Sequence, residues 1–287
     1  MQKIIFVTMV LTMVGGLAVG CQGPGKQNFE SKASYEANLI EEIEINNDSW
    51  DMEFKNSESR QITIVCKGKQ QDKKSDPVTI THDGNKIVVT QQDEGGMDGF
   101  SFGKKGTIYI SIPDNEVDMI KLNNGAGDIK MKDVAAHHIV ISNDSGTEIL
   151  EGLSADKGEF TSNDGELTLK NSSLNELKVT SISGGSYISG VTSPEIEITS
   201  INGEVSIKEI QEGKSLRVET KSGDISVSYK AAPGSLSVRA NSDSSDISID
   251  LDGFREHQST EKSVEGAIGG AANQLELLSQ NGTISVK

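Results

Sequence analysis

The chain has 287 residues, with 27 Lys and Arg against 43 Asp and Glu, a formal charge of −16. That negative excess excludes nucleic acid and anionic lipid headgroups as main partners, because both are repelled. Aromatics are only 4% and Gly numbers 30, while strand formers alternate with Gly, Ser, Asn and Asp, which excludes a helical bundle; two Cys cannot build a disulfide framework.

Residues 1–20, MQKIIFVTMVLTMVGGLAVG, place one positive charge at Lys3 before an apolar run from Ile4 to Val19. The run is shorter than the roughly 20 residues of a spanning helix and suits the core of a secretory signal. It ends Leu17-Ala18-Val19-Gly20-Cys21. Small residues ahead of a Cys resemble a bacterial lipoprotein box, with cleavage before Cys21 and diacylation of its thiol. The expected address is the extracytoplasmic side of the cell membrane. An uncleaved anchor helix, or an ordinary secretory signal with an incidental Cys21, are the other readings. Residues 21–37 then read as lipid anchor and flexible tether, rich in Gly and polar groups.

Residues 38–119 carry an irregular β pattern. Ile43, Ile45, Asn47, Met52 and Phe54 alternate around Trp50, and Val78, Ile80, Ile87 and Val89 around Asn85. These are expected to be irregular coils continuous with the regular ones after residue 119, a separate N-terminal β-sandwich being the alternative. Cys66, in ITIVCKG, reads as a small core residue.

From residue 120 a repeat takes over. Gly127, Gly146, Gly165, Gly184, Gly203 and Gly223 are spaced by 19, 19, 19, 19 and 20 residues. Five positions before each stand Leu122, Ile141, Phe160, Val179, Ile198 and Val218; three before, Asn124, Asn143, Ser162, Ser181, Ser200 and Thr220. The unit is apolar-x-apolar-x-Ser/Asn-x-x-Gly-x-apolar-x-apolar. Period-two alternation makes strands with one buried face, and Ser/Asn-x-x-Gly makes a turn in which Gly tolerates positive φ. Two short strands per repeat, in register, predict an all-β parallel β-solenoid of about 19-residue coils over 120–287. Leu236, Val238, Ile247 and Ile249 fit if two residues are inserted near Asn241–Ser244. Residues 252–274 interrupt the pattern, and a last coil returns at 275–286.

These coils, the ISIP strand at Ile110–Pro113 and the terminal IGG…LELLSQNGTISVK resemble the bacterial putative-adhesin β-solenoid family of unknown function, over roughly residues 38–287. The resemblance implies an envelope protein, in some members lipid-anchored and in some placed beside envelope-stress regulators. It carries over no catalytic residue. Glu148 and Ser186 stand at apolar positions of the pattern, and a register shift is expected there.

One position after the glycines, Glu204, Asp224 and Asp246 are expected on three successive coils. Stacked carboxylates repel, and Ca²⁺ or a polycation would relieve them; a solvated acidic face is the plainer account. The opposite charges six positions before the glycines, such as Lys178 and Glu197, suit cross-strand pairs on an outer face. His137 and His138 are adjacent and so a poor metal pair, and the G-x-apolar runs lack the Lys-Ser/Thr of a phosphate loop. The reading is a non-enzymatic, adhesin-like envelope lipoprotein that binds a protein or a wall or glycan polymer. A regulatory accessory at the membrane is the first alternative. A carbohydrate-active β-helix enzyme using Asp224 and Asp246 is the second.

Overall fold

The computed structural model describes residues 27–70, 76–92, 106–114, 117–244 and 246–287. Among them are 25 strands and one short 3-10 turn, Ala37–Leu39. The strands form two sheets, of 12 and 13 strands, with one continuous apolar core. Most pairings are parallel. Ile139 lies beside Ile120 on one side and Gly158 on the other; Ile198 lies beside Val179 and Val218. Long parallel sheets built this way fit a β-solenoid, each rung giving one strand to each sheet.

The alternation explains the burial. Along His138–Asn143, Ile139, Ile141 and Asn143 are buried while His138, Val140 and Ser142 face outward. Ile141, Val179 and Val218 are all at most 2% exposed. Outer faces carry ion pairs between rungs, such as Lys178 with Glu197 at 3.4 Å and Arg217 with Glu276. Each is a surface pair of about 0–1 kcal/mol.

The glycines matter for a reason other than the expected one. Only Gly146 and Gly184 of the regular series have positive φ. The general constraint is the approach of the rung below. A Cβ on Gly203 would lie 2.1 Å from the Gly184 carbonyl oxygen, and one on Gly165 would lie 2.3 Å from that of Gly146. The left-handed column sits at the second corner instead: Asp133, Gly152, Asn171, Gly190 and Glu209 all have φ between 50° and 67°.

Glu148 and Ser186 cause no register shift. Glu148 stays between Ile129 and Leu167, and Ser186 between Leu167 and Val205. Both side chains are buried within the stack, at 0% and 1% exposure. Nor does the 236–249 rung need an insertion. Val238, Ala240 and Ser242 pair with Leu275, Leu277 and Ser279, and Ile247 with Ile284. The small Ala240, 0% exposed, takes the inner place that the sequence pattern assigns to a larger residue.

Stacking order departs from chain order at both ends. The rung formed by Asn273–Asn281 and Ile284–Val286 lies between the Ser215–Tyr229 rung and the Leu236–Ile249 rung. At the other end, the rung formed by Glu42–Asn47 and Asp51–Asn56 lies between the strands of 119–132 and those of 86–112. A continuous order was expected. Every rung presents the same inner pattern, so periodicity alone cannot choose neighbours.

Antiparallel strands then cover the exposed sheet edges. Val78–Asp83 folds back on Lys86–Gln91, which places Asn85 in a hairpin turn rather than at a coil corner. Gln61–Gln70 runs antiparallel to Gly106–Ile112, and Gln27–Glu36 antiparallel to Gln61–Gln70. Part of the stretch read as tether is therefore strand, fixed by Phe29, whose ring meets the buried Trp50 edge-on at 6.0 Å. The interruption at 252–274 contains the hairpin Arg255–Thr260 and Ser263–Ile268, which covers Leu236–Asn241.

Candidate functional site

The Ser/Asn-x-x-Gly turns build one side of the molecule. Each Ser, Asn or Thr closes its own turn: Asn124 Nδ2 donates to Gly127 O at 2.6 Å, Ser162 Oγ to Gly165 O at 3.0 Å, and Thr220 Oγ1 to Gly223 O at 3.0 Å. At the N-terminal rungs this becomes a buried amide ladder. Asn47 Nδ2 donates to Asn124 Oδ1, and Asn124 Nδ2 to Asn143 Oδ1, at 2.6 and 2.7 Å. The tight turns leave the outward residue just before them standing beside a shallow groove of about 440 Å³.

Thr90, Asn46, Asn123, Ser142 and Thr161 form the groove floor, one from each of five adjacent strands. At about 4.8 Å per strand the row runs roughly 19 Å along the stacking axis. Asp48, Asp144 and Asn163 line its wall, and among the described residues no Lys or Arg lines it. Asn123 Nδ2 donates to Asn46 Oδ1 at 2.7 Å. Gln91, which follows Thr90 at one end of the row, faces inward and is 1% exposed. Its Oε1 accepts the backbone N–H groups of Asp48 and Ser49 at 2.9 and 2.8 Å, while its Nε2 has no hydrogen-bond partner among the described residues. The sequence pattern did not single out this groove. Its signal was present as a run of Asn, Ser and Thr one residue before the turn column.

The acidic column is arranged differently from the expectation. Glu204 and Asp224 are on adjacent rungs, but the rung carrying Thr283 separates Asp224 from Asp246. Glu204, Asp224 and Asp246 are therefore not on three successive coils, because the 273–286 rung is inserted. Carboxylates of this column also engage the next rung: Asp224 Oδ1 accepts Thr283 N–H at 2.7 Å and Asp128 Oδ1 accepts Thr147 N–H at 3.1 Å. Where the column holds Gly185, the Tyr187 ring lies over it. The Tyr187 hydroxyl pKa is raised by burial and by the negative charges of Glu204 and Glu166. Among the described residues no group of three His, Cys, Asp or Glu side chains is placed to hold a metal ion. Asp224 and Asp246 stand two rungs apart.

Other titratable groups sit apart from the groove. His137 Nδ1 lies 2.8 Å from Asp156 Oδ2, and its Nε2 3.9 Å from Asp118 Oδ1. The Asp156 hydrogen bond, then its charge, raises the His137 pKa. Cys66 is buried and free, and burial pushes its thiol up to about 12, so it is an inert core residue. Glu148 is the anomaly. Burial drives its pKa from 4.5 to about 8, with the nearby Asn143 amide acting in the opposite direction. That amide donates to Gly146 O at 2.9 Å, and neither Glu148 carboxyl oxygen has a hydrogen-bond partner among the described residues. Cys21 lies outside the described residues. Among the described residues no helix is long and apolar enough to cross a membrane.

Rungs closed by Ser/Asn/Thr-x-x-Gly turns run through 119–229 and return at 273–286, and residues 40–287 match the model of the Toastrack DUF4097 family. The chain belongs to that family. A solved structure similar to this family member is a putative adhesin from Bacteroides fragilis, 14% identical, with a TM-score of 0.57 over 92% of this chain and 98% of the other. Another is a putative adhesin from Parabacteroides distasonis, 13% identical, with a TM-score of 0.49 over 92% and 98%. A third, from the same species, is described as a putative lipid binding protein, 12% identical, with a TM-score of 0.42 over 90% and 96%. No curated protein matches the chain. The Bacteroides fragilis likeness shows the fold.

Proposed function

We propose that this protein is a non-enzymatic, adhesin-like binding module of the cell envelope. It is held on the extracytoplasmic face through a lipid on Cys21, and its solenoid of about 19-residue coils displays a binding surface for a protein or polymer ligand. The observation that carries this reading is the groove. Its floor repeats one hydroxyl or amide group per strand over five strands, a surface suited to gripping something extended. Nothing in that row is a nucleophile with an adjacent base or a pair of carboxylates flanking a bond, as hydrolysis requires. The description of the Bacteroides fragilis neighbour as a putative adhesin agrees with this reading.

Two measurements test it. Cys21→Ala is expected to leave an unprocessed chain that no longer fractionates with membranes as the lipidated form does; unchanged processing and retention would remove the anchor. Cells carrying the chain are expected to adhere to immobilised polysaccharide or protein matrices better than cells lacking it. Equal adherence on every matrix would remove the binding role.

A further inference from the structure

We infer that the groove is a subsite for an uncharged, hydroxyl-rich polymer, a segment of neutral polysaccharide lying along the stacking axis. This rests on the binding-module reading and names its ligand class.

The floor groups Thr90, Asn46, Asn123, Ser142 and Thr161 have one property in common: each both donates and accepts hydrogen bonds. Sugar hydroxyls have the same dual character, so such a row matches them at every step without fixing one sequence of donors and acceptors. A row of carboxylates or lysines would accept only or donate only. The groove walls set the charge. Asp48 and Asp144 line them, without Lys or Arg among the described residues, so a polyanion meets like charge while a neutral chain does not.

Gln91 stands outside this row: it follows Thr90 on the strand but faces inward, level with Asn47, where its oxygen accepts backbone N–H groups of Asp48 and Ser49. Among the described residues no aromatic ring lines the groove, so stacking adds nothing and single contacts are weak. Useful retention then comes from several copies engaging one polymer.

The test is isothermal titration of the full chain in detergent with a neutral N-acetylglucosamine hexasaccharide, a glucose hexasaccharide, and polygalacturonate as the polyanion. Saturable binding of a neutral hexasaccharide is expected, with Kd on the order of 0.1–1 mM. The Asn123→Ala/Ser142→Ala double variant, altered only at outward positions, is expected to weaken it about tenfold with its unfolding midpoint little changed. Thr161→Val, which keeps the shape, serves as the second variant. Polygalacturonate is expected to bind only after Asp48→Lys and Asp144→Lys. The inference is overturned if neither hexasaccharide saturates, if binding ignores Asn123, Ser142 and Thr161, or if polygalacturonate binds the unaltered chain more tightly. Cells that still adhere with the double variant overturn the groove assignment alone; cells that never adhere overturn the wider reading.

Discussion

The Asp224 carboxylate accepts the backbone N–H of Thr283 at 2.7 Å, although the two residues are 59 positions apart. Equivalent contacts elsewhere join residues 19 apart, as between Asp128 and Thr147. The longer span marks the place where a late segment has been slotted between two earlier ones. Asp224→Ala is expected to cost about 1–2 kcal/mol in urea unfolding, with Asp224→Asn recovering most of it. Added calcium is expected to leave the midpoint unchanged. A rise with calcium that Asp224→Ala abolishes would instead assign the column a cation.

Gly203→Ala tests the stacking role of the glycines. Its Cβ would come 2.1 Å from the Gly184 carbonyl oxygen, which is backbone and cannot swing aside. The expected loss is about 3 kcal/mol or more, or failure to fold. Gly270→Ala is the matched control, because the nearest atom to its Cβ is Ser235 Oγ at 3.5 Å. A change within about 0.5 kcal/mol is expected there. Equal effects at both sites would contradict the close-approach account.

Glu148 makes stability depend on pH in an unusual direction. Its pKa is about 8 when folded against 4.5 ordinarily, so between those values only the folded chain holds the proton. Binding that proton favours folding at low pH, and the benefit is lost as pH rises from 4.5 towards 8. The cost at pH 7 is on the order of 3 kcal/mol. Glu148→Leu, flanked by Ile129 and Leu167, is expected to raise stability at pH 7 and flatten this part of the profile. A variant less stable than the parent at pH 7 would show that the carboxyl is satisfied after all.

Glu212 works the other way. Burial tends to raise its pKa, but hydrogen bonds from Asn273, Gly234 N–H and Ser235 N–H hold it below the ordinary value. These contacts, at 2.9, 2.6 and 3.1 Å, fasten the start of the inserted rung to its neighbours. The stability it contributes is present above the ordinary carboxylate range and is lost as pH falls through the depressed value. Glu212→Ala is expected to cost about 1–3 kcal/mol at neutral pH and nearly nothing in acid. Hydrogen exchange should show the loss first in 234–249 and 273–286; protection unchanged in both would remove Glu212 from that role.

Much of the fold was legible because one inner pattern recurs. Ile141, Val179 and Val218 were placed inside by alternation, and they are there. What the pattern withheld was order. Leu275 and Leu277 offer the same ladder to the Ser215–Ser222 strand as to the Leu236–Ser242 strand, and only three-dimensional closure brings them between the two. Glu148 reads in the pattern as a slip because its type is charged, whereas it stays in register and burial raises its pKa. The groove escaped notice because its residues are ordinary outward Asn, Ser and Thr, and their alignment depends on Asn46 and Thr90 joining Asn123 across the reordered rungs.

That reordering also sets a timetable. A chain delivered from its N-terminus can stack 119 to 229 as it emerges, but residues 236–249 do not join that stack directly. The hairpin 255–268 can pair with 236–241 first, but this piece has no place on the stack until 273–286 arrives and is pressed in between. Closure of that end thus follows the rungs on both sides of it, and pulling on 273–286 afterwards means shearing two seams at once instead of unzipping one.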